Sequence, residues 1–434
     1  MTGDSIPPTA FALPRIGNNQ WGAGEATTSN DHYHYNDHYR YVEGQKRLFS
    51  FGAIADVQYA DRVDGWNYAE THRRYYRGGL AQLRRAVDVW LTDETHRFAL
   101  QLGDVIDGCN SPGQSESALK SVKGPLDRLA ESLPLGVLNS LGNHELYNFP
   151  KQRWAREVDC SSRAKAVALQ PGTPPLAVVD EMTSPPPLNP CPDTAINSKR
   201  LDASGHDRNE EAEEVFYYSF CPDPSYRVVA LDTYDVNAIR GETEAEGGGG
   251  AEGEGAGVCR YAADILSSRN PNEDKNDSGG MEGLTRRFVQ FNGGIGRKQL
   301  MWLEKQLQDA RIKEQRVLAF GHVPIHPGEV SSDCLLWNYK DVLKAMHKFE
   351  CVAMYISGHR HRETYFRDEQ GVHHISLAAA LEAPPDQASN SEINTQSSEA
   401  FASFDVYPDR LELRGHGVVE SRTLTLTERE VSKR

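Results

Sequence analysis

Residues 1–46 show no sustained alternation of apolar and polar positions. They are polar and rich in Asn, Gly and Thr, the composition of a disordered arm. From residue 48 the pattern changes. LFSFGAIA, 48–55, is an apolar run of strand length. In the following NYAETHRRYYRGGLAQLRRAVDVWLTDE, Leu80, Leu83, Val87, Trp90 and Leu91 fall at helical spacing. RFALQLGD predicts a second strand and ALKSVKGPLDRLAESL a helix interrupted near Pro125. LGVLNSLGN predicts a third strand. Further on, EVFYYSF, YRVVALDTYD, RVLAFGH, CVAMYISGH, GVHHISLAAA and RLELRGHG read as strands. RKQLMWLEKQLQDA, 297–310, reads as an amphipathic helix. Strands alternating with helices predict an α/β layered fold with a central sheet.

Two stretches break this rhythm. Residues 155–212 are loop-rich, with TSPPPLNPCP and then the acidic LDASGHDRNEEAEE. Residues 241–280 begin with GETEAEGGGGAEGEGAG, a low-complexity linker. Candidate site residues lie on both sides of each stretch. We therefore expect one catalytic domain, 47–425, carrying two insertions behind a disordered segment, 1–46.

Charge changes the picture mainly by its placement. The formal net charge is −15. Segment 202–214 holds six acids and one Arg, and segment 241–257 holds five Glu and no base, so the two carry −10 of it. The rest is only mildly acidic, which argues against a nucleic-acid partner. No apolar stretch approaches the length of a transmembrane helix, and the N-terminus lacks a signal-peptide pattern. The seven cysteines are scattered, with no CxxC. They read as reduced thiols. A cytoplasmic monomer without a membrane partner is the expectation.

The candidate chemistry sits where strands end. Asp56 and Gln58 close the first, Asp104 and Asp107 the second, Asn143 and His144 the third. His322 and His326 close the fourth, His359 and His361 the fifth. Ligands of open α/β sheets bind beyond the carboxyl ends of strands, so parallel strands would bring these sets to one rim. Glycines precede four of them: Gly103, Gly142, Gly321 and Gly358. The donors are oxygen and imidazole nitrogen without thiolate, which suits Mn²⁺, Fe or Zn rather than a structural zinc site. One carboxylate can bridge two ions, and such a pair can clamp a phosphate and activate water.

Each piece alone has an ordinary reading. GD is often only a turn, Asp107 can cap the loop after it, and His326, His373 and His374 can be loop or strand residues. NDHYHYNDHYRY, within the first 46 residues, is more simply a solvated arm than a metal-binding tail. Order turns the weak pieces into a strong series: D-x-Q, GDxxD, GNHE, GH, GHxH.

That series resembles the calcineurin-like metallophosphoesterase superfamily. Its typical members begin with D-x-H, whereas Gln58 stands in the His place here. The departure is similar to that of a narrower family, the Mn²⁺-dependent ADP-ribose/CDP-alcohol diphosphatases. IADVQYAD, RRYYR, LQLGDVIDG, GNHELYNF, NPN, FVQFNGG, HVPIHP, WNYKD and SGHRH carry that resemblance. It implies a β-sandwich flanked by helices, and two divalent ions with Mn²⁺ preferred and Mg²⁺, Zn²⁺ or Fe as alternatives. It also implies that Asp56, Gln58 and His361 hold one ion, Asn143, His322 and His359 the other, and that Asp104 bridges them. His144 would act on the transferring phosphoryl group.

The implied reactions cleave a diphosphate bond. ADP-ribose would yield AMP and ribose 5-phosphate, and CDP-choline would yield CMP and phosphocholine. Tyr68 and Cys334 fall at nucleotide-pocket positions of the family. Asn292 sits in a turn that reads equally as facing the substrate or as purely structural. Trp66, Tyr75 and Tyr76 could stack on a base, and Arg73, Arg74 and Arg77 read first as helix surface and second as phosphate contacts. The rival readings are a cyclic-nucleotide phosphodiesterase of the same superfamily and a catalytically silent scaffold.

Overall fold

The computed structural model describes residues 46–67, 70–111, 113–157, 216–239, 254–328, 332–384 and 399–426. All lie in one compact unit, Gln45–Arg434. Tyr68, the NDHYHYNDHYRY stretch and most of both acidic insertions fall outside the described residues.

Along the chain the strands are β1 Phe49–Ile54, β2 Gly65–Trp66, β3 Arg73–Arg74, β4 His96–Gln101, β5 Val137–Asn139, β6 Tyr218–Asp223 and β7 Tyr226–Ala230. They continue with β8 Arg316–Phe320, β9 Val352–Ser357, β10 Thr364–Arg367, β11 His373–Ser376, β12 Ala400–Val406, β13 Arg410–Gly417 and β14 Arg422–Thr425. The helices are α1 Tyr76–Thr92, α2 Ser115–Ser132, α3 Asn143–Asn148, α4 Lys151–Glu157, α5 Glu254–Arg269, α6 Arg297–Ile312 and α7 Tyr339–Phe349. Among the described residues no helix is long and apolar enough to cross a membrane.

The expected central sheet is two sheets packed face to face. One has the order β14-β13-β12-β1-β4-β5, the other β10-β11-β9-β8-β7-β6. The reason lies in the strand faces. Phe49, Phe51, Phe98, Leu100 and Phe404 point to the same side of the first sheet, Phe220, Val228, Phe320 and Ile356 to the facing side of the second. Neither apolar face is tolerable in water, and each covers the other. Phe51 stacks on Phe98 and Phe404 with ring centroids 4.9 and 4.7 Å apart. Phe98 meets Phe220 edge-on at 5.6 Å, across the two sheets. The outer faces are covered by helices: α1 packs on β1 and β12, α2 on β5, α6 on β8 and α7 on β9.

Several elements differ from the pattern reading. Helix α2 runs unbroken through Pro125, because Ala118, Leu119, Val122, Leu126 and Leu129 stay on one buried face across it. Packing there outweighs the lost backbone donor. Arg73 and Arg74 lie in the β2–β3 hairpin, not on a helix surface; the helix starts at Tyr76. α5 begins at Glu254, inside the stretch read as linker. β10, β12, β14 and α7 complete the sheets and their cover.

The direction of the strands places the site. In the first sheet β1, β4 and β5 are parallel neighbours. In the second, β7, β8, β9 and β11 are parallel. Their carboxyl ends open onto one rim, where the loops are tied together. Asp56 N donates to Gly103 O at 3.2 Å, Gln58 N to Asp104 O at 2.8 Å, and Leu381 N to Asp56 O at 3.0 Å.

Candidate metal centre

Five of the seven candidate ligands leave their strands through a tight reversal. Asp56, Gln58, Asp104, His359 and His361 have φ of 51°, 40°, 57°, 70° and 64°. Non-glycine residues avoid this left-handed region, at a cost of roughly 1–2 kcal/mol each. Five such residues on one rim mark stored strain at a functional site. Gly103 has φ 98°, and a Cβ there would run into the His322 ring. A Cβ at Gly142 would strike the Asp104 carboxylate, and one at Gly358 the Asp56 carboxylate. These three glycines thus make room for ligand side chains, rather than only for a bulky anion.

The side chains from both sheets meet. One donor atom each from Asp104, His322 and His359 lie within 4.8 Å of one another. His322 Nε2 is 3.3 Å from Asp104 Oδ2, and His361 Nε2 is 3.6 Å from Asp56 Oδ1. Gln58 Nε2 lies 3.2 Å from Asp104 Oδ2 and 2.9 Å from His361 Nε2. His359 N donates to Asp56 Oδ2 at 3.0 Å. Asn143 joins through Tyr234, whose hydroxyl donates to Asn143 Oδ1 at 3.2 Å.

Outer partners decide which nitrogen of each histidine faces inward. His322 Nδ1–H donates to Leu102 O at 2.7 Å. His359 Nε2–H donates to Asn292 Oδ1 at 2.7 Å. His361 Nδ1–H donates to Glu382 Oε1 at 2.9 Å. The remaining nitrogens turn inward: His361 Nε2 accepts from Gln58 Nε2 at 2.9 Å, and His359 Nδ1 stands 3.2 Å from His322 Nε2. Two lone pairs at that distance, beside two carboxylates, are favourable only with positive charge between them. Gln58 Oε1 is buried with no hydrogen-bond partner. An orphaned amide oxygen within a nitrogen and carboxylate cluster fits a divalent cation.

A proton on His322 can supply that positive charge, and a bound cation would displace it. Burial alone would lower His322, but the Asp104 carboxylate outweighs it and raises the imidazole to about 9. Burial opposes ionisation of Asp104 too, yet His322 and His144 hold it below the ordinary carboxylate range. His359 is pushed well down by burial and then by His322. It is neutral, as a ligating imidazole must be.

His144 stands at the edge of this cluster. Its backbone N–H donates to Asp104 Oδ1 at 2.8 Å, and its Nδ1 accepts from Gly108 N at 2.8 Å. Nε2 is 4.0 Å from Asp104 Oδ2. Asp107 caps the following turn, its Oδ1 accepting from Cys109 N at 2.8 Å, and Oδ2 lies 3.4 Å from His144 Nδ1.

Several contributors carry no signal in spacing alone. Glu145, fully buried, accepts from Asp104 N, Val105 N and Gly142 N at 2.8, 2.6 and 2.8 Å, clamping two ligand loops. It is the fourth letter of GNHE and could have been found there. Glu382, Tyr234 and the Leu102 carbonyl belong to no recognisable motif.

The comparisons with known proteins agree with this centre. No protein-family model matches the chain. A protein of Arabidopsis thaliana named manganese-dependent ADP-ribose/CDP-alcohol diphosphatase is 36% identical over 374 residues, which cover 86% of this chain and 96% of that one. The protein of that name in Homo sapiens is 32% identical over 383 residues, covering 88% and 94%. The chain belongs to the manganese-dependent ADP-ribose/CDP-alcohol diphosphatase family. A crystal structure of a dimetal phosphatase from Danio rerio superposes with a TM-score of 0.67 at 34% identity, covering 88% of this chain and all of that one.

On this diphosphatase scaffold the pocket candidates fall in different places. Asn292 is fully buried; besides accepting from His359 it donates through Nδ2 to Arg287 O and Asp333 O, both at 2.9 Å. It stands behind the candidate ligand His359. Cys334, partly buried, follows Asp333 directly. Tyr76 packs with Ala60 and Leu381 in the core. Trp66 is 53% exposed with Arg73 over its ring at 5.6 Å. Arg74 Nη1 lies 3.7 Å from Asp107 Oδ2, and exposed Arg77 pairs with Asp61.

Proposed function

We propose that the chain hydrolyses the diphosphate bond of ADP-ribose to AMP and ribose 5-phosphate, and that of CDP-alcohols such as CDP-choline to CMP and phosphocholine. The observation that carries this reading is the convergence of Asp56, Gln58, Asp104, His322, His359 and His361 from two sheets onto one rim, with inward nitrogens and outward anchors. The names of the relatives support the substrate class.

Asp56, Gln58 and His361 would hold one divalent ion, and Asn143, His322 and His359 the other, with Asp104 shared and Mn²⁺ preferred. Such ions, when bound, neutralise phosphate oxygens and lower the pKa of water. The chain's own residues do the rest. Leu102, Asn292 and Glu382 lock the three imidazoles in one tautomer. Glu145 holds the Asp104 and Gly142 loops in register. His144 accepts from Gly108 at Nδ1, so its ring proton sits on Nε2, on the side of Asp104. That proton is placed to stabilise the transferring phosphoryl group or to pass to the leaving phosphate oxygen. The free thiols of Cys109 and Cys221 support a reducing, cytoplasmic setting.

The test is AMP release from ADP-ribose, and CMP release from CDP-choline, with Mn²⁺ and after its removal. His144→Ala should lower turnover by about 10²–10⁴-fold with Mn²⁺ binding retained. If 3′,5′-cyclic nucleotides were cleaved and ADP-ribose were not, the phosphodiesterase reading would replace this one. An equal loss of metal and turnover would make His144 a ligand.

A further inference from the structure

His326, His347 and His374 take no part in the centre above, yet they gather around a single carboxylate. Asp368 follows β10, in the turn before β11, and its Oδ1 accepts from Gln370 N at 3.0 Å and Val372 N at 2.8 Å. Its Oδ2 accepts from His347 Nε2, near the end of α7, at 2.8 Å and lies 3.0 Å from His374 Nε2, on β11. His326, in the loop after β8, stacks on Phe366 with centroids 4.6 Å apart, and its ring is 4.7 Å from that of His374. One donor atom each from His326, Asp368 and His374 lie within 4.8 Å of one another.

We propose that His326, Asp368 and His374, with His347 beside them, form a second metal site that takes one zinc-class divalent ion. Two or three imidazoles with one carboxylate form a donor set for Zn²⁺ and its transition-metal neighbours, whereas Mg²⁺ and Ca²⁺ want oxygen throughout. A second observation points the same way. His374 is fully buried and its Nδ1 has no hydrogen-bond partner. With the ring proton on that nitrogen, the Nε2 lone pair faces Asp368 Oδ2 at 3.0 Å, and the two can share one ion. Burial, and then the neighbouring His374, lower His326 to about 4. It is therefore neutral at pH 7, the form that ligates. His326 Nδ1 accepts from Gly328 N at 3.0 Å. Ligation through its Nε2 moves the ring proton to Nδ1 and releases that N–H. The alternative is that the cluster is only a proton-sharing pin joining α7 to the β10–β11 turn.

Zinc content after dialysis against buffered Zn²⁺ decides between them. The first centre is disabled with Asp104→Asn and His359→Ala in the full chain, leaving the second site to be counted. About one zinc per chain is expected in that background, and about none once His326→Ala or His374→Gln is added. No zinc in the background, or an ion that survives both added substitutions, would overturn the site. Should the background fail to fold, the thermal melt of the otherwise unaltered chain is compared with that of His326→Ala, a half-buried loop position. Zn²⁺ should raise the melting temperature more in the former; equal shifts would refute the proposal.

Discussion

Replacing Asn292 by Ala tests whether the residue serves His359 or the substrate. The side chain is fully buried and makes three hydrogen bonds: one from His359 Nε2 at 2.7 Å, and one each to Arg287 O and Asp333 O at 2.9 Å. Ala leaves all three partners without this mate, in a partly buried setting. At about 1–3 kcal/mol per buried orphan, and with partial relaxation, stability should fall by roughly 3–6 kcal/mol. A ligating histidine freed from its outer partner also loses about 10–100-fold in metal affinity. Asn292→Asp separates the two effects. It keeps an acceptor for His359 but sets a carboxylate oxygen against two carbonyls. The Asp variant should therefore be destabilised while binding Mn²⁺ nearly as the parent does, and the Ala variant should lose on both counts. Thermal melts give stability, and the paramagnetic resonance of free Mn²⁺ gives affinity. If Asn292→Ala bound Mn²⁺ as tightly as the parent and only raised KM for ADP-ribose, the positioning role would be wrong.

The other predictions concern the rim and the second sheet. Gly103→Ala forces a Cβ at φ 98° against the His322 ring. It should cost at least about 1–2 kcal/mol of stability and weaken Mn²⁺ binding, both readable by titration and melting. Gln58→His exchanges an amide oxygen for an imidazole nitrogen and should shift preference from Mn²⁺ toward Zn²⁺; an unchanged Mn²⁺/Zn²⁺ affinity ratio would remove Gln58 from the ligand set. His373, on β11, is lowered to about 4, chiefly by burial, with its bond to Thr425 O pulling weakly the other way. The unfolded chain takes up that proton near 6.5, so the folded state loses stability as pH falls from 6.5 to 4. The loss is at most about 3 kcal/mol, and His373→Gln should flatten this part of the pH–stability curve.

The strands that build the site could be read from their apolar runs, because both faces of each are covered and burial leaves little room for polar residues. β1, β4, β8 and β9 appear where the pattern puts them. The ends of those runs also showed the metal-binding residue types, since an acid or a histidine is conspicuous against an apolar strand. β2 and β3, with two residues each, and the mostly alternating β10 were too short or too exposed to register. α2 passed through its proline because its packed face is a property of the finished fold, not of the local chain.

The order of residue types along the chain was enough to establish the family and the chemistry of the donors, because a cation selects oxygen and nitrogen ligands one by one. Which nitrogen each imidazole turns inward was settled only by folding. That choice belongs to Leu102, Asn292 and Glu382, partners 220, 67 and 21 residues away in the chain, and no spacing rule connects them. The same holds for Asn292 itself. Its sequence neighbourhood reads equally as a turn facing substrate or as a structural one, and burial behind His359 follows from two sheets closing on one another.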